Sequence, residues 1–205
     1  MTLYSVMVTN DTPMLIDQMM QVFFPDAKTV LDMTYGNGAF WKGLSYDVTG
    51  LDVDPDRAKD VCADFQRLPF GDDAFDITVF DPPYHTDMGR GKVSVMGGRF
   101  GTFPRIIDLH SAVRRGSNEA MRVGKIGTLI KVQDYCHASK IQWMPDWVKE
   151  VLGDPYDSVI QVRQRKIVDP KWGTQLTAYR NHAVFLAYRK DGVTHKRRKP
   201  SRVEV

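Results

Sequence analysis

The chain has 205 residues, of which 42% are hydrophobic and 26% charged, with a net charge of +3. That length and balance suit one soluble domain with a sizeable core. They leave no continuous apolar stretch for a membrane span, and near the N-terminus Asp11 and Asp17 interrupt what a secretory signal would need. Cys62 and Cys136 show no motif spacing, which points to reduced thiols and a cytoplasmic location.

The small net charge hides a strong polarity. Residues 163–202 carry twelve Lys/Arg against Asp169 and Asp191, whereas residues 1–162 carry sixteen against twenty-two Asp/Glu. A basic C-terminal part attached to an acidic body suggests contact with a polyanion.

In chain order, Thr12-Pro13 reads as a helix start, with Thr12 as N-cap and Pro13 in the first turn. Leu15, Ile16, Met19, Met20 and Phe23 follow at helical spacing, and Pro25 stops the pattern. Thr29–Asp32 is a short buried strand. It runs into Met33-Thr34-Tyr35-Gly36-Asn37-Gly38, a glycine turn that opens a second helix through Trp41. Tyr46–Asp52 is the next strand, Pro55–Asp60 begins a helix, and Cys62–Phe65 is a brief third strand. Phe75–Asp81 is the fourth, closed by Pro82 and Pro83, neither of which can donate to a ladder.

Residues 85–104 hold Gly89, Gly91, Gly97, Gly98 and Gly101 with Arg90, Lys92 and Arg99, the composition of a basic lid or substrate loop. A helix follows from Arg105 through Ile106, Leu109 and Val113, then a strand over Gly127–Val132. Trp143 to Leu152 is a further amphipathic helix ending at Gly153. Ser158–Arg163 and Ala183–Tyr188 form a last strand pair. Between them lies a basic stretch with Arg165, Lys166, Lys171, Trp172 and Arg180, suited to nucleic acid. Residues 191–205 read as a basic disordered tail.

Strands alternating with helices at this spacing imply a parallel sheet, whose ligands bind beyond the carboxyl ends of the strands. Asp32, Asp52, Asp64 and Asp81 all fall at such ends. The glycine turn is neither a dinucleotide fingerprint, since its third glycine is missing, nor a P-loop. Asp52, twenty positions after Asp32, suits ribose hydroxyls; Asp32 suits a cationic amino-acid moiety and Asp64 an adenine amine. Together these describe S-adenosylmethionine. Asp81, the Pro82 carbonyl and the Tyr84 ring suit a flat group bearing an amine. His85 reads as solvated, Asp54 as either a second ribose ligand or a helix-start acid, and Cys136 with His137 is too sparse for a metal set.

Over roughly residues 10–190 the chain resembles the class I S-adenosylmethionine-dependent amino-methyltransferases that act on nucleic-acid bases. The resemblance rests on Asp32-Met33-Thr34-Tyr35-Gly36-Asn37-Gly38, Gly50-Leu51-Asp52-Val53-Asp54, Ala63-Asp64-Phe65 and, most specifically, Asp81-Pro82-Pro83-Tyr84. It implies an α/β, Rossmann-like, seven-stranded, mostly parallel sheet with a C-terminal antiparallel strand pair and helices on both faces. It also implies one domain over residues 1–190, with 191–205 as tail. Asp32, Thr34, Tyr35, Gly36, Gly38, Asp52, Val53, Asp64 and Phe65 would hold the cofactor S-adenosyl-L-methionine. Asp81, Pro82, Pro83 and Tyr84 would carry catalysis, with no metal. The target would be adenine N6 or cytosine N4, in DNA ahead of RNA, met by residues 85–104 and 163–202. No separate target-recognition domain is visible, so recognition falls to those segments or to a partner protein. An RNA amino-methyltransferase, a protein glutamine methyltransferase and a non-catalytic binding module are the alternatives.

Overall fold

The computed structural model describes residues 2–84, 103–138, 140–164 and 180–190. Most of the loop 85–104, most of the stretch 164–181 and the tail 191–205 lie outside the described residues, as do the lid, nucleic-acid and disorder expectations placed on them.

The elements in order are β1 (Val6–Val8), α1 (Thr12–Phe23), β2 (Thr29–Asp32), a 3-10 turn (Ala39–Trp41), β3 (Asp47–Asp52), β4 (Val61–Cys62) and β5 (Phe75–Phe80). Then come α2 (Ile106–Val123), β6 (Gly124–Val132), β7 (Tyr135–His137), β8 (Lys140–Gln142), α3 (Met144–Leu152), β9 (Asp157–Val162) and β10 (His182–Arg189). Among the described residues eight strands form one sheet in the order β1-β9-β10-β6-β5-β2-β3-β4, and β7 and β8 make a separate hairpin. All neighbours in the large sheet are parallel except β10, which runs antiparallel to both β6 and β9. The sheet thus contains the seven expected strands plus β1, which adds to β9.

Residues alternating along each strand point to opposite faces, and the sequence supplies apolar groups for both. Val30, Ile77, Val79, Leu129, Val159 and Phe185 face α1 and its Leu15, Ile16, Met19 and Met20. Leu31, Phe80, Ile130, Val132, Leu186 and Tyr188 face α2 and α3 through Leu109, Val113, Trp147 and Val148. Each fully buried side chain of this size contributes about 2 kcal/mol. The two hydroxyls in the middle of the sheet are satisfied: Thr78 Oγ1 donates to the Ala120 carbonyl at 2.9 Å and Thr128 Oγ1 to that of Thr78 at 3.2 Å.

Several local expectations need correction. The N-cap of α1 is Asp11, whose carboxylate accepts from the Met14 N–H at 2.9 Å, rather than Thr12. The segment after the glycine turn is three residues of 3-10 turn, because Gly38 (φ 68°) and Gly43 (φ 78°) take left-handed conformations on either side of it. Pro55–Asp60 is turn rather than helix. Asp60 folds back so that its carboxylate accepts the Gly50 N–H at 2.8 Å and its N–H donates to the Gly50 carbonyl at 2.9 Å. The third strand is Val61–Cys62, since Asp64 turns the chain by accepting the Gln66 N–H at 2.8 Å. No described helix is long and apolar enough to cross a membrane.

Candidate functional site

Parallel β2, β3, β4, β5 and β6 bring their carboxyl ends to one rim, where the acids of the sequence gather. Asp32 closes β2 and is 2% exposed. Its Oδ2 accepts the Trp41 indole N–H at 2.7 Å and its Oδ1 the Thr34 N–H at 3.1 Å. Loss of water dominates: burial pushes the carboxyl up to about 7 despite both hydrogen bonds, and the charges of Asp81 and Asp52 add to the rise. Trp41 had been assigned no role by sequence reasoning. Its ring is fixed by the 3-10 turn and stacks edge-on against Tyr46.

The glycine loop is wrapped around Tyr35 and Asp52. Gly36 (φ 58°) donates its N–H to Asp52 Oδ2 at 2.9 Å, and Asp52 Oδ1 accepts the Asp54 N–H at 3.0 Å. The Tyr35 side chain lies where a side chain on Gly38 or Gly50 would stand; a Cβ on Gly38 would meet its hydroxyl and one on Gly50 its ring, each at 2.5 Å. Tyr35 therefore shapes the loop from behind. Beyond β3, Val53 is 65% exposed, and Asp64 is exposed beyond β4. The Phe65 ring is buried against that of Phe80, the last residue of β5, with centroids 5.1 Å apart.

Asp81 stands at the end of β5. Its N–H donates to Thr34 Oγ1 at 3.1 Å, so Thr34 ties the glycine loop to the Asp-Pro-Pro-Tyr tetrapeptide. Pro82 is buried, and Pro83 and Tyr84 are half-buried. The tyrosine hydroxyl donates to Asp81 Oδ1. Lys131 of β6 donates through Nζ to Asp81 Oδ2 at 2.6 Å and lies 5.1 and 5.6 Å from the Phe40 and Tyr84 ring centroids. Burial and the Asp81 charge hold the Tyr84 hydroxyl well above its usual range; burial pulls the Lys131 ammonium down, against the opposing pull of Asp81.

Sequence reasoning missed Lys131, although a signal was present. A lone lysine between Ile130 and Val132, in a strand apolar on both faces, requires an internal partner. Lys131→Met is expected to lower unfolding stability by about 3 kcal/mol, because it leaves Asp81 without its cation. A urea melt checks this, and an unchanged midpoint would reduce the pair to a surface-like contact.

No protein-family model and no curated protein sequence matches the chain. Among solved structures, a protein of Thermoplasma acidophilum is 16% identical, matching 86% of each chain with a TM-score of 0.52. The fold is Rossmann-like. In its large sheet one antiparallel strand, β10, stands between the parallel β6 and β9. A SAM-dependent methyltransferase of Methanosarcina mazei is 12% identical over 84% of this chain and 98% of its own, TM-score 0.49. The 1,6-didemethyltoxoflavin-N1-methyltransferase of Burkholderia thailandensis, crystallised with S-adenosylhomocysteine, is 16% identical over 89% and 80%, TM-score 0.48. At 16% identity the likeness to the Thermoplasma acidophilum structure speaks for the fold alone.

Proposed function

We propose that this protein transfers a methyl group from S-adenosylmethionine to an exocyclic amine of a nucleic-acid base, adenine N6 or cytosine N4 in DNA. The observation that carries the reading is the bond from the Asp81 N–H to Thr34 Oγ1, which fixes a carboxylate at the end of β5 against the loop that would hold the cofactor.

The residues at the rim fit that cofactor. Asp32 is a buried acid with no cation in salt-bridge reach among the described residues, and an ammonium beside it would supply the missing charge. Asp52 spends one acceptor site of each oxygen on backbone and keeps the others for ribose hydroxyls. The exposed Val53 offers an apolar face to adenine, and the exposed Asp64 an acceptor to its amine. Gly36, where an added Cβ would meet nothing nearer than the Thr34 carbonyl oxygen at 3.9 Å, leaves the loop backbone open to close approach. S-adenosylmethionine supplies an electrophilic methyl on a sulfonium.

The chain supplies alignment and charge. Asp81 accepts hydrogen bonds from the target amine on the lone pairs that Lys131 and Tyr84 leave, which favours a pyramidal nitrogen and steadies the positive charge that grows there. Lys131 fixes the carboxylate in place. Lys131 Nζ also lies 3.3 Å from the Tyr84 hydroxyl, and the Tyr84 ring is the group on which the base would stack. A base within a duplex has to leave the stack to reach this rim.

The test is methylation of DNA and RNA oligonucleotides with labelled S-adenosylmethionine, followed by identification of the modified nucleoside by mass. Label on neither polymer would refute the proposal, and label confined to RNA would move the target.

Cofactor binding should depend on pH. In the free protein Asp32 takes a proton near pH 7, with Asp52 and Asp81 favouring that proton and Lys131 opposing it. Binding of a cation favours the carboxylate, so below about pH 7 binding must release a proton and weakens by up to about tenfold per unit. Titration calorimetry in two buffers of different ionisation heat reads the proton directly. Asp32→Asn should abolish the release; equal heats in both buffers for the unaltered protein would show that Asp32 does not face the ligand. The same shift bears on the free fold. Because the folded carboxyl titrates above its ordinary value of 3.8, its contribution to stability is full below that value and lost as pH rises through 7.

A further inference from the structure

The strand order divides the rim by charge. Asp32, Asp52 and Asp64 follow β2, β3 and β4 on one side of Asp81, while Lys131, Arg163 and the Arg180–His182 pair belong to β6, β9 and β10 on the other. The cations of that second side are not equally committed. Lys131 is matched by Asp81 at 2.6 Å. Asp134, 6% exposed, holds Arg180 Nε at 3.1 Å through Oδ2 and His182 Nε2 at 2.6 Å through Oδ1. Arg163 differs. Its backbone is locked to the start of β10, with its N–H on the Asn181 carbonyl at 2.7 Å and its carbonyl accepting from Asn181 Nδ2 at 3.4 Å. Its guanidinium meets no carboxylate among the described residues.

We propose that Arg163 is a phosphate-binding residue, which grips a backbone phosphodiester of the target strand on the β9–β10 side of Asp81. The substrate class rests on the methyl-transfer reading above; the site itself rests on charge and placement. A half-buried guanidinium without a counter-ion among the described residues is costly to keep, and a planar fork of donors matches two phosphate oxygens. It is close enough to the reacting end of the sheet that its charge is felt by both the Tyr84 hydroxyl and the Lys131 ammonium. Asp134 keeps Arg180 and His182 in register beside it, so the strand ends that would meet a phosphate are held before any ligand arrives. The acidic side would repel the same phosphate, which orients a nucleic-acid strand with its backbone over β9 and β10 and its target base toward Asp81.

The experiment measures oligonucleotide binding by fluorescence anisotropy across a salt series, with the full chain and no cofactor, using DNA and RNA of one sequence. Arg163→Ala should reduce the slope of log K against log salt by about 0.7 for a single strand and about 0.9 for a duplex, the loss of one phosphate contact. Lys149→Ala removes one positive charge from the far end of α3, where Lys149 pairs with Asp154, and should leave the slope unchanged. S-adenosylmethionine affinity, measured separately, reports folding and should match the unaltered protein for Arg163→Ala. An unchanged slope for Arg163→Ala, an equal effect from Lys149→Ala, a fall in cofactor affinity, or no oligonucleotide binding by the unaltered protein would each overturn the assignment. Because no methyl transfer is read, the site can stand even if the proposed reaction fails. Equal slope losses on DNA and RNA would place the contact on the phosphate alone; a loss confined to one polymer would show that the grip also needs that polymer's sugar or helix shape.

Discussion

Asp81→Ala is expected to lower methyl transfer at least about a hundredfold while S-adenosylmethionine still binds. Removing a positioned electrostatic partner of the reacting group has an effect of that order. Asp32, Asp52 and Gly36, the residues proposed to hold the cofactor, make their hydrogen bonds without the Asp81 side chain, and Thr34 contacts only its backbone N–H. The alanine also strands Lys131, which has no other carboxylate partner among the described residues, and so carries a structural cost of its own. Asp81→Asn separates the two. It keeps an acceptor oxygen and the shape, and it should retain measurably more activity than alanine at similar stability. If alanine and asparagine are equally inactive and both bind cofactor, the side-chain acceptor is not what the reaction uses. If both lose cofactor, Asp81 is structural.

The largest effect on folding is expected at a glycine far from the chemistry. β6 runs through the middle of the sheet between β5 and β10, and it carries an irregularity: Phe75 pairs with Gly124, yet Ile77 pairs with Gly127. Two steps on β5 therefore face three on β6, a bulge at Lys125–Ile126. Gly127 lies just past it, opposite Arg189. A Cβ there would stand 2.0 Å from the Tyr188 carbonyl oxygen and 3.0 Å from the Arg189 Cα, both backbone atoms of the neighbouring strand. Neither can rotate away, so β6 and β10 must separate. Gly127→Ala should cost on the order of 4 kcal/mol, enough to unfold a domain of ordinary stability. Gly71→Ala is the matched control, since an added Cβ at Gly71 meets nothing within 4 Å. Urea melts of the two variants decide: equal midpoints would mean the strands part without cost.

Every expected strand could be read because the apolar residues alternate or run together in short blocks between turn residues, as in Thr29–Asp32 and Phe75–Phe80. β1 was not visible: Val6-Met7-Val8 is three residues long, with both valines more than half exposed. Its partner lies about 150 positions away, and no local pattern announces a pairing at that distance. The missing helices after Gly38 and Pro55 failed for a related reason. Tyr35 and Asp60 are drawn toward Gly50, a tertiary contact that overrides local preference. At the site, the spacing of acids gave the rim, because strand ends converge in any parallel sheet. Trp41 was hidden, since it looks like an ordinary member of an apolar run until its buried carboxylate is known, whereas Lys131 stood out in its strand but nothing local named Asp81 as its partner.

The attachment of β1 has a bearing on how the protein is made. Ser5 and Thr9 bond to Ile160 and Val162, and the Asn10 side chain accepts the Gln164 N–H across 154 positions. A chain leaving the ribosome therefore has its first strand waiting, unpaired, until the ninth has emerged, and β9 is itself aligned by the tenth. The sheet can close only after β10 has emerged, and the last clasp to form is the one that fixes the backbone on either side of Arg163.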